Sequence, residues 1–128
     1  TSLYDPAGTI CVGPTLSTGI GLGGHAFVIT SGSHAGKTLI VHGNTTTTSS
    51  LYDPSVPGFI AGPSLPTAVA GGGHSFAINA GIHPGKTLVI NGGGTATSLF
   101  DPSGTPGFTA GPTTSTAVAT GSHSWDVP

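Results

Sequence analysis

Charge is the scarcest commodity in this sequence. Only 5% of the 128 residues are charged, against roughly a quarter in an ordinary domain. There are two lysines, Lys37 and Lys86, and no arginine; there are four aspartates and no glutamate. A phosphate backbone is bound by clustered cations, so nucleic acid is excluded as a partner. A polybasic patch for an anionic membrane surface is excluded on the same ground. With no glutamate and no two aspartates close in sequence, a paired-carboxylate glycosidase has no support. No apolar run approaches the roughly 20 residues that a membrane-spanning helix needs. The single cysteine, Cys11, cannot close an internal disulfide. It sits in "TICVG", where its repeat counterparts are Ile60 and Thr109, and reads as a packing residue.

Glycine and proline are abundant instead, 23 and 11 residues. Such a share without a pattern would point to disorder. Here there is a pattern, and 35% of the residues are hydrophobic. Three histidines open matching phrases: "GGHAFVIT" at His25, "GGHSFAIN" at His74 and "GSHSWDVP" at His123. They stand 49 apart, as do His34 and His83, Lys37 and Lys86, and the pairs Gly13-Pro14, Gly62-Pro63 and Gly111-Pro112. Asp5, Asp53 and Asp101, each followed by Pro, recur at 48. The small length differences belong in loops, one of them an extra residue in the Thr tract from Thr45 to Thr48.

One unit, Val69 to Pro112, shows what is repeated. "HSFAIN" alternates, "KTLVIN" is a strongly β-forming run, "TATSLF" follows a Gly-Gly-Gly turn signal, and "GFTAG" ends at Gly111-Pro112. These read as four short strands, a to d, with turn chemistry between them. No stretch carries the 3.6-residue period of a helix. Four antiparallel strands per 49 residues, in tandem, match the size of a β-propeller blade. The unit resembles a kelch repeat on three features. These are the Gly doublet after strand b ("INGG"), the "LYDP" or "LFDP" phrase closing strand c, and the aromatic in strand d, Phe59 or Phe108. It looks closest to bacterial secreted kelch-like repeats rich in Thr and Gly. It departs from the usual pattern in carrying Phe, or Ile10, where kelch units usually have Trp, and "HGN" for one Gly doublet.

The expected fold is therefore all-β: propeller blades of four-stranded antiparallel sheets, about 2.6 per chain. The units are 1–14 (strands c and d), 15–63 and 64–112 (complete blades), and 113–128 (strand a of a further blade). Because propellers close with typically four to eight blades, three situations fit this count: a fragment of a longer propeller, several chains in one ring, or open stacking. The expected partner is accordingly another copy of the chain, or the missing part of a longer propeller.

Few residues suggest chemistry. His25, His74 and His123 are candidate metal ligands, since strand a of a propeller lines its channel; the competing reading is that each ring bonds a backbone carbonyl and braces its neighbour. Asp before Pro initiates turns, which accounts for Asp5, Asp53 and Asp101. His34 and His83 sit in turns. Galactose oxidase-like enzymes place copper on a kelch-type propeller with tyrosine ligands, but Tyr4 and Tyr52 are repeat equivalents of Phe100 and read as core aromatics. A Ser-His-Asp triad has no G-x-S-x-G phrase to place it. Trp125, Phe76 and Phe27 are candidate interaction residues, either ligand platforms or aromatics buried between blades. Asn44 in "NTT" is a formal glycosylation acceptor. No cofactor is implied. The expectation is a non-enzymatic structural or interaction module, extracellular or at the cell surface. The alternatives are a carbohydrate or small-ligand binding propeller and, behind it, an oxidase-like fragment.

Overall fold

The computed structural model describes residues 2–4, 8–56 and 58–123. Its strands form where β-branched and aromatic residues alternate between Gly- and Pro-rich turns. β1 (Ser2–Tyr4) and β2 (Ile10–Val12) make a two-stranded antiparallel ribbon. β3 (His25–Val28), β4 (Thr38–Val41), β5 (Ser49–Tyr52) and β6 (Phe59–Ala61) make the first four-stranded sheet. β7 (His74–Ala77), β8 (Thr87–Ile90), β9 (Thr97–Asp101) and β10 (Gly107–Ala110) make the second. Both are antiparallel meanders with strands in chain order, and among the described residues there is no helix.

Register assigns every side chain to a face. In the first sheet Phe27, Leu39, Leu51 and Ile60 lie across from one another, so they share the front face; Val28, Thr38, Tyr52 and Phe59 share the back. In the second sheet Phe76, Leu88, Leu99 and Thr109 share the front, and Ala77, Thr87, Phe100 and Phe108 the back. The core lies between the front of the first sheet and the back of the second. Ile29, Leu39 and Leu51 pack on Phe100, with Phe27 and Phe108 closing the cluster. Val41 and Val89 meet the connection between the sheets through Leu65 and Val69. Phe27 sets its edge against Phe100 at 5.5 Å between ring centroids. Strands β3 and β7 approach each other along one margin of this sandwich.

The connection is laced to both sheets. Leu65 N–H donates to Thr47 O and Val69 N–H to Thr46 O, on the first sheet; Ala70 N–H donates to Asn91 O, on the second. The recurrent Gly-Pro has a steric origin. A Cβ at Gly62 would overlap the Ser49 hydroxyl, and one at Gly111 the Thr97 hydroxyl. Those hydroxyls donate to the carbonyls of Pro63 and Pro112, so glycine leaves room for the bond that ends the sheet.

Candidate functional site

The strand-a histidines come first. His25 Nδ1–H donates to Gly23 O at 2.7 Å and His74 Nδ1–H to Gly72 O at 2.8 Å; His123 Nδ1 lies 3.5 Å from Gly121 O. The same bond to the carbonyl two residues back recurs in each unit, and it leaves Nε2 with the lone pair of the neutral ring. His25 Nε2 is buried without a partner. Burial holds the His25 pKa below its ordinary 6.5; the Gly23 carbonyl opposes that shift and the nearby His74 adds to it. Among the described residues no three of His, Cys, Asp and Glu gather into a metal site.

A second polar centre lies at the β4–β5 hairpin, and sequence reasoning did not single it out. His42 is 2% exposed. Its Nε2 is 2.8 Å from Ser50 Oγ and its Nδ1 is 2.9 Å from Thr48 Oγ1. The direction of these bonds follows from their neighbours. The Thr48 hydroxyl donates to Thr46 Oγ1, and the Thr46 hydroxyl donates to Gly43 O. Thr48 must therefore accept from His42 Nδ1–H, so Nε2 accepts from the Ser50 hydroxyl. The relay is neutral throughout, and burial lowers the His42 pKa from 6.5. A cleft of about 180 Å³ opens beside it, lined by Ser17, Thr18, His42, Ser49, Ser50 and Ser64 among others.

In the second sheet Asn91 stands where His42 stands, and Ser98 where Ser50 stands. Asn91 accepts from the Ser98 hydroxyl at 3.1 Å and donates to Thr67 O at 2.6 Å. The amide thus bonds the serine, as the imidazole does, and also reaches back to the preceding loop. His42 has both nitrogens committed to its own hairpin, which leaves the equivalent gap toward Thr18 open as the cleft. The sequence did carry a signal for this centre: one position of the repeat exchanges a histidine for an asparagine while its serine partner stays.

The aspartates are turn residues with a charge partner. Asp53 Oδ1 accepts from Ser55 N–H and Ser55 Oγ at 2.9 and 2.5 Å, and its Oδ2 meets Lys37 Nζ at 3.0 Å. Asp101 repeats this with Ser103 and with Lys86 at 2.8 Å. Bonds from Ser55, then Lys37, lower the Asp53 pKa from 3.8 to about 2. Lys86 first, then Ser103, hold the Asp101 carboxyl well below the usual range.

Of the remaining candidates, Phe27 is half-buried in the inter-sheet core and Phe76 is half-buried on the front of the second sheet. Tyr52 packs on Phe59 with ring centroids 5.3 Å apart. Asn44 is exposed at the tip of the β4–β5 hairpin, and Cys11 belongs to β2. His34 and His83 lie in the β3–β4 and β7–β8 loops; the Nδ1 of His34 is buried without a partner. Trp125 and Asp5 lie outside the described residues, as does most of the strand expected at His123 to Pro128. An apolar hollow of about 210 Å³ beside β5 and β6 is lined by Leu51, Asp53, Val56, Gly58 and Ile60. In comparisons with protein-family models, curated proteins and solved structures, nothing matches this chain.

Proposed function

We propose that the chain is a non-enzymatic structural and interaction module whose sheets are kelch-like propeller blades, working outside the cell or at its surface beside further blades. The observation that carries this reading is how the polar side chains are used. The strand-a histidines bond their own turns, the lysines bond their own aspartates, and the aspartates cap their own serines, each arrangement duplicated at the repeat spacing. Side chains that do the same work in successive units brace the fold of each unit. A reaction centre draws different residues to one point instead. The Ser50–His42 bond has the form of an activated nucleophile. However, Ser98–Asn91 makes the same bond without a base, and both serines are buried. The low charge and the hydroxyl-rich loops support an extracellular setting.

The test is sedimentation across a concentration series with electron microscopy of the concentrated sample. Association into rings or regular fibres is the expected result. A folded monomer at every concentration that also takes up stoichiometric copper would overturn the reading in favour of an oxidase-like fragment. The cleft beside His42 favours a second reading, binding of a small neutral polyhydroxylated ligand, because its lining offers hydroxyls and no charge. A glycan array hit abolished by Ser64→Phe would move the assignment to that reading.

A further inference from the structure

The core contact between the two sheets is made by two different faces, and each sheet has a copy of both. The front of the first sheet meets the back of the second. That leaves a back on the first sheet and a front on the second. Residue by residue, these outer faces carry the counterparts of the buried ones. On the outer front, Phe76, Leu88, Leu99 and Ile90 correspond to Phe27, Leu39, Leu51 and Val41. On the outer back, Tyr52, Phe59 and Ile40 correspond to Phe100, Phe108 and Val89. The correspondence extends to geometry. Tyr52 and Phe59 form a ring pair at 5.3 Å, and Phe100 and Phe108 form one at 5.1 Å.

Burial separates several of the copies. Leu39, Val89 and Val69 are fully buried, whereas Leu88, Ile40 and Val118 are half-buried. On the outer front Leu99 and Ile90 are already buried within the chain, at 5% and 6% exposure, so the open part of that face is centred on Phe76 and Leu88. Ile20, the counterpart of Val69, is 47% exposed. The outer faces also carry little charge to oppose contact, because Lys37 and Lys86 are each held by an aspartate of the same sheet.

We infer that the occupant of these faces is a second copy of this chain, joined head to tail: the outer front of one copy, around Phe76 and Leu88, takes the outer back of the next, around Tyr52, Phe59 and Ile40. The junction repeats the contact already present inside each chain, with Tyr52 of one copy edge-on to Phe76 of the other as Phe100 is to Phe27. The contact is heterologous, so it propagates into a ring or an open stack. This rests on the assembly reading above and adds which faces meet.

The experiment uses two variants of the full chain, Ile20→Asp on the back and Leu88→Asp on the front, each checked for β structure by circular dichroism. Sedimentation velocity is expected to show wild-type oligomers, each variant alone as a monomer, and the equimolar mixture as a dimer of twice the monomer mass and no larger. That pattern arises because each mixed pair has one intact junction. Either variant associating by itself would mean front-to-front or back-to-back contact and would overturn the inference. So would wild-type assemblies whose variants fail to complement, although the assembly reading would then stand. A wild type that remains monomeric overturns the inference and removes self-assembly from that reading. A photo-crosslinking amino acid at position 76 gives an independent measurement that leaves the core intact. Capture of the peptide containing Tyr52 from a second, isotopically labelled copy is expected, and capture of the peptide containing Phe76 overturns the head-to-tail geometry.

Discussion

A buried imidazole makes stability depend on pH, and its sign follows from which state binds the proton. Burial lowers the pKa of His42, and of His25, from 6.5 in the folded chain. Below pH 6.5 the unfolded chain takes up protons that the folded chain refuses. Stability is thus complete above 6.5 and falls as the pH drops through that value toward the folded-state pKa. For one proton the slope is at most about 1.4 kcal/mol per pH unit. His42→Asn installs the residue of the second repeat and keeps an acceptor for Ser50. Urea unfolding at pH 8 and pH 5 is expected to show a smaller acid loss in this variant than in the wild type, the remainder coming from His25. Equal losses would mean that His42 stays protonated inside the fold. The aspartates act in a lower window with the same sign. Asp53, lowered from 3.8 to about 2, supports the fold above 3.8 and loses that contribution as the pH falls through about 2. Carboxyl NMR titration is expected to place the Asp53 midpoint near 2 in the wild type and higher in Ser55→Ala, whose side chain supplies the largest lowering influence.

At the scale of an element, the β4–β5 hairpin differs from β8–β9 by one residue, and the structure locates it. Gly43 and Asn44, with φ 69° and 55°, match Gly92 and Gly93, with φ 70° and 66°. Thr46 and Gly94 make equivalent bridges to Val69 and Val118, which leaves Thr45, φ 59°, as the added residue. A β-branched residue in the left-handed region is disfavoured by about 1–2 kcal/mol. Glycine removes that penalty but adds about 0.5–1 kcal/mol of unfolded-chain entropy. Thr45→Gly is therefore expected to stabilise the chain by about 0.5–1 kcal/mol in urea unfolding; a loss would mean that the Thr45 hydroxyl bond to Asn44 O outweighs the backbone cost. The strands themselves are legible in the sequence, because alternation such as "HSFAIN" and the Gly and Pro punctuation are local signals. The burial of Leu65 and Val69 is not. They stand in a turn-rich connection, and only the packing of two sheets around it makes them core. The His42 centre escapes for a related reason: nothing local in the sequence marks Thr48 and Ser50 as partners of the ring, and only the folded hairpin brings their hydroxyls onto it.

For the whole molecule, identical positions of the repeat have unequal surroundings, which turns a pair of substitutions into a measurement of assembly. Leu39 and Leu88 occupy the same place on β4 and β8. Leu39 is fully buried inside the chain against the second sheet, while Leu88 is half-buried on the outer front. Leu39→Ala removes a contact that every folded chain makes, and is expected to cost about 2–5 kcal/mol at any protein concentration. Leu88→Ala removes a contact that a lone chain makes only in part. Its cost in dilute solution is expected to be smaller than that of Leu39→Ala. Association stabilises the folded state by mass action, so the wild-type urea midpoint should rise with protein concentration. In Leu88→Ala that rise should be reduced or lost, and the gap between wild type and variant should widen as both are concentrated. A Leu88→Ala deficit that stays constant over a hundredfold range of concentration would show that the outer front is satisfied within the single chain and that no second copy contributes to it.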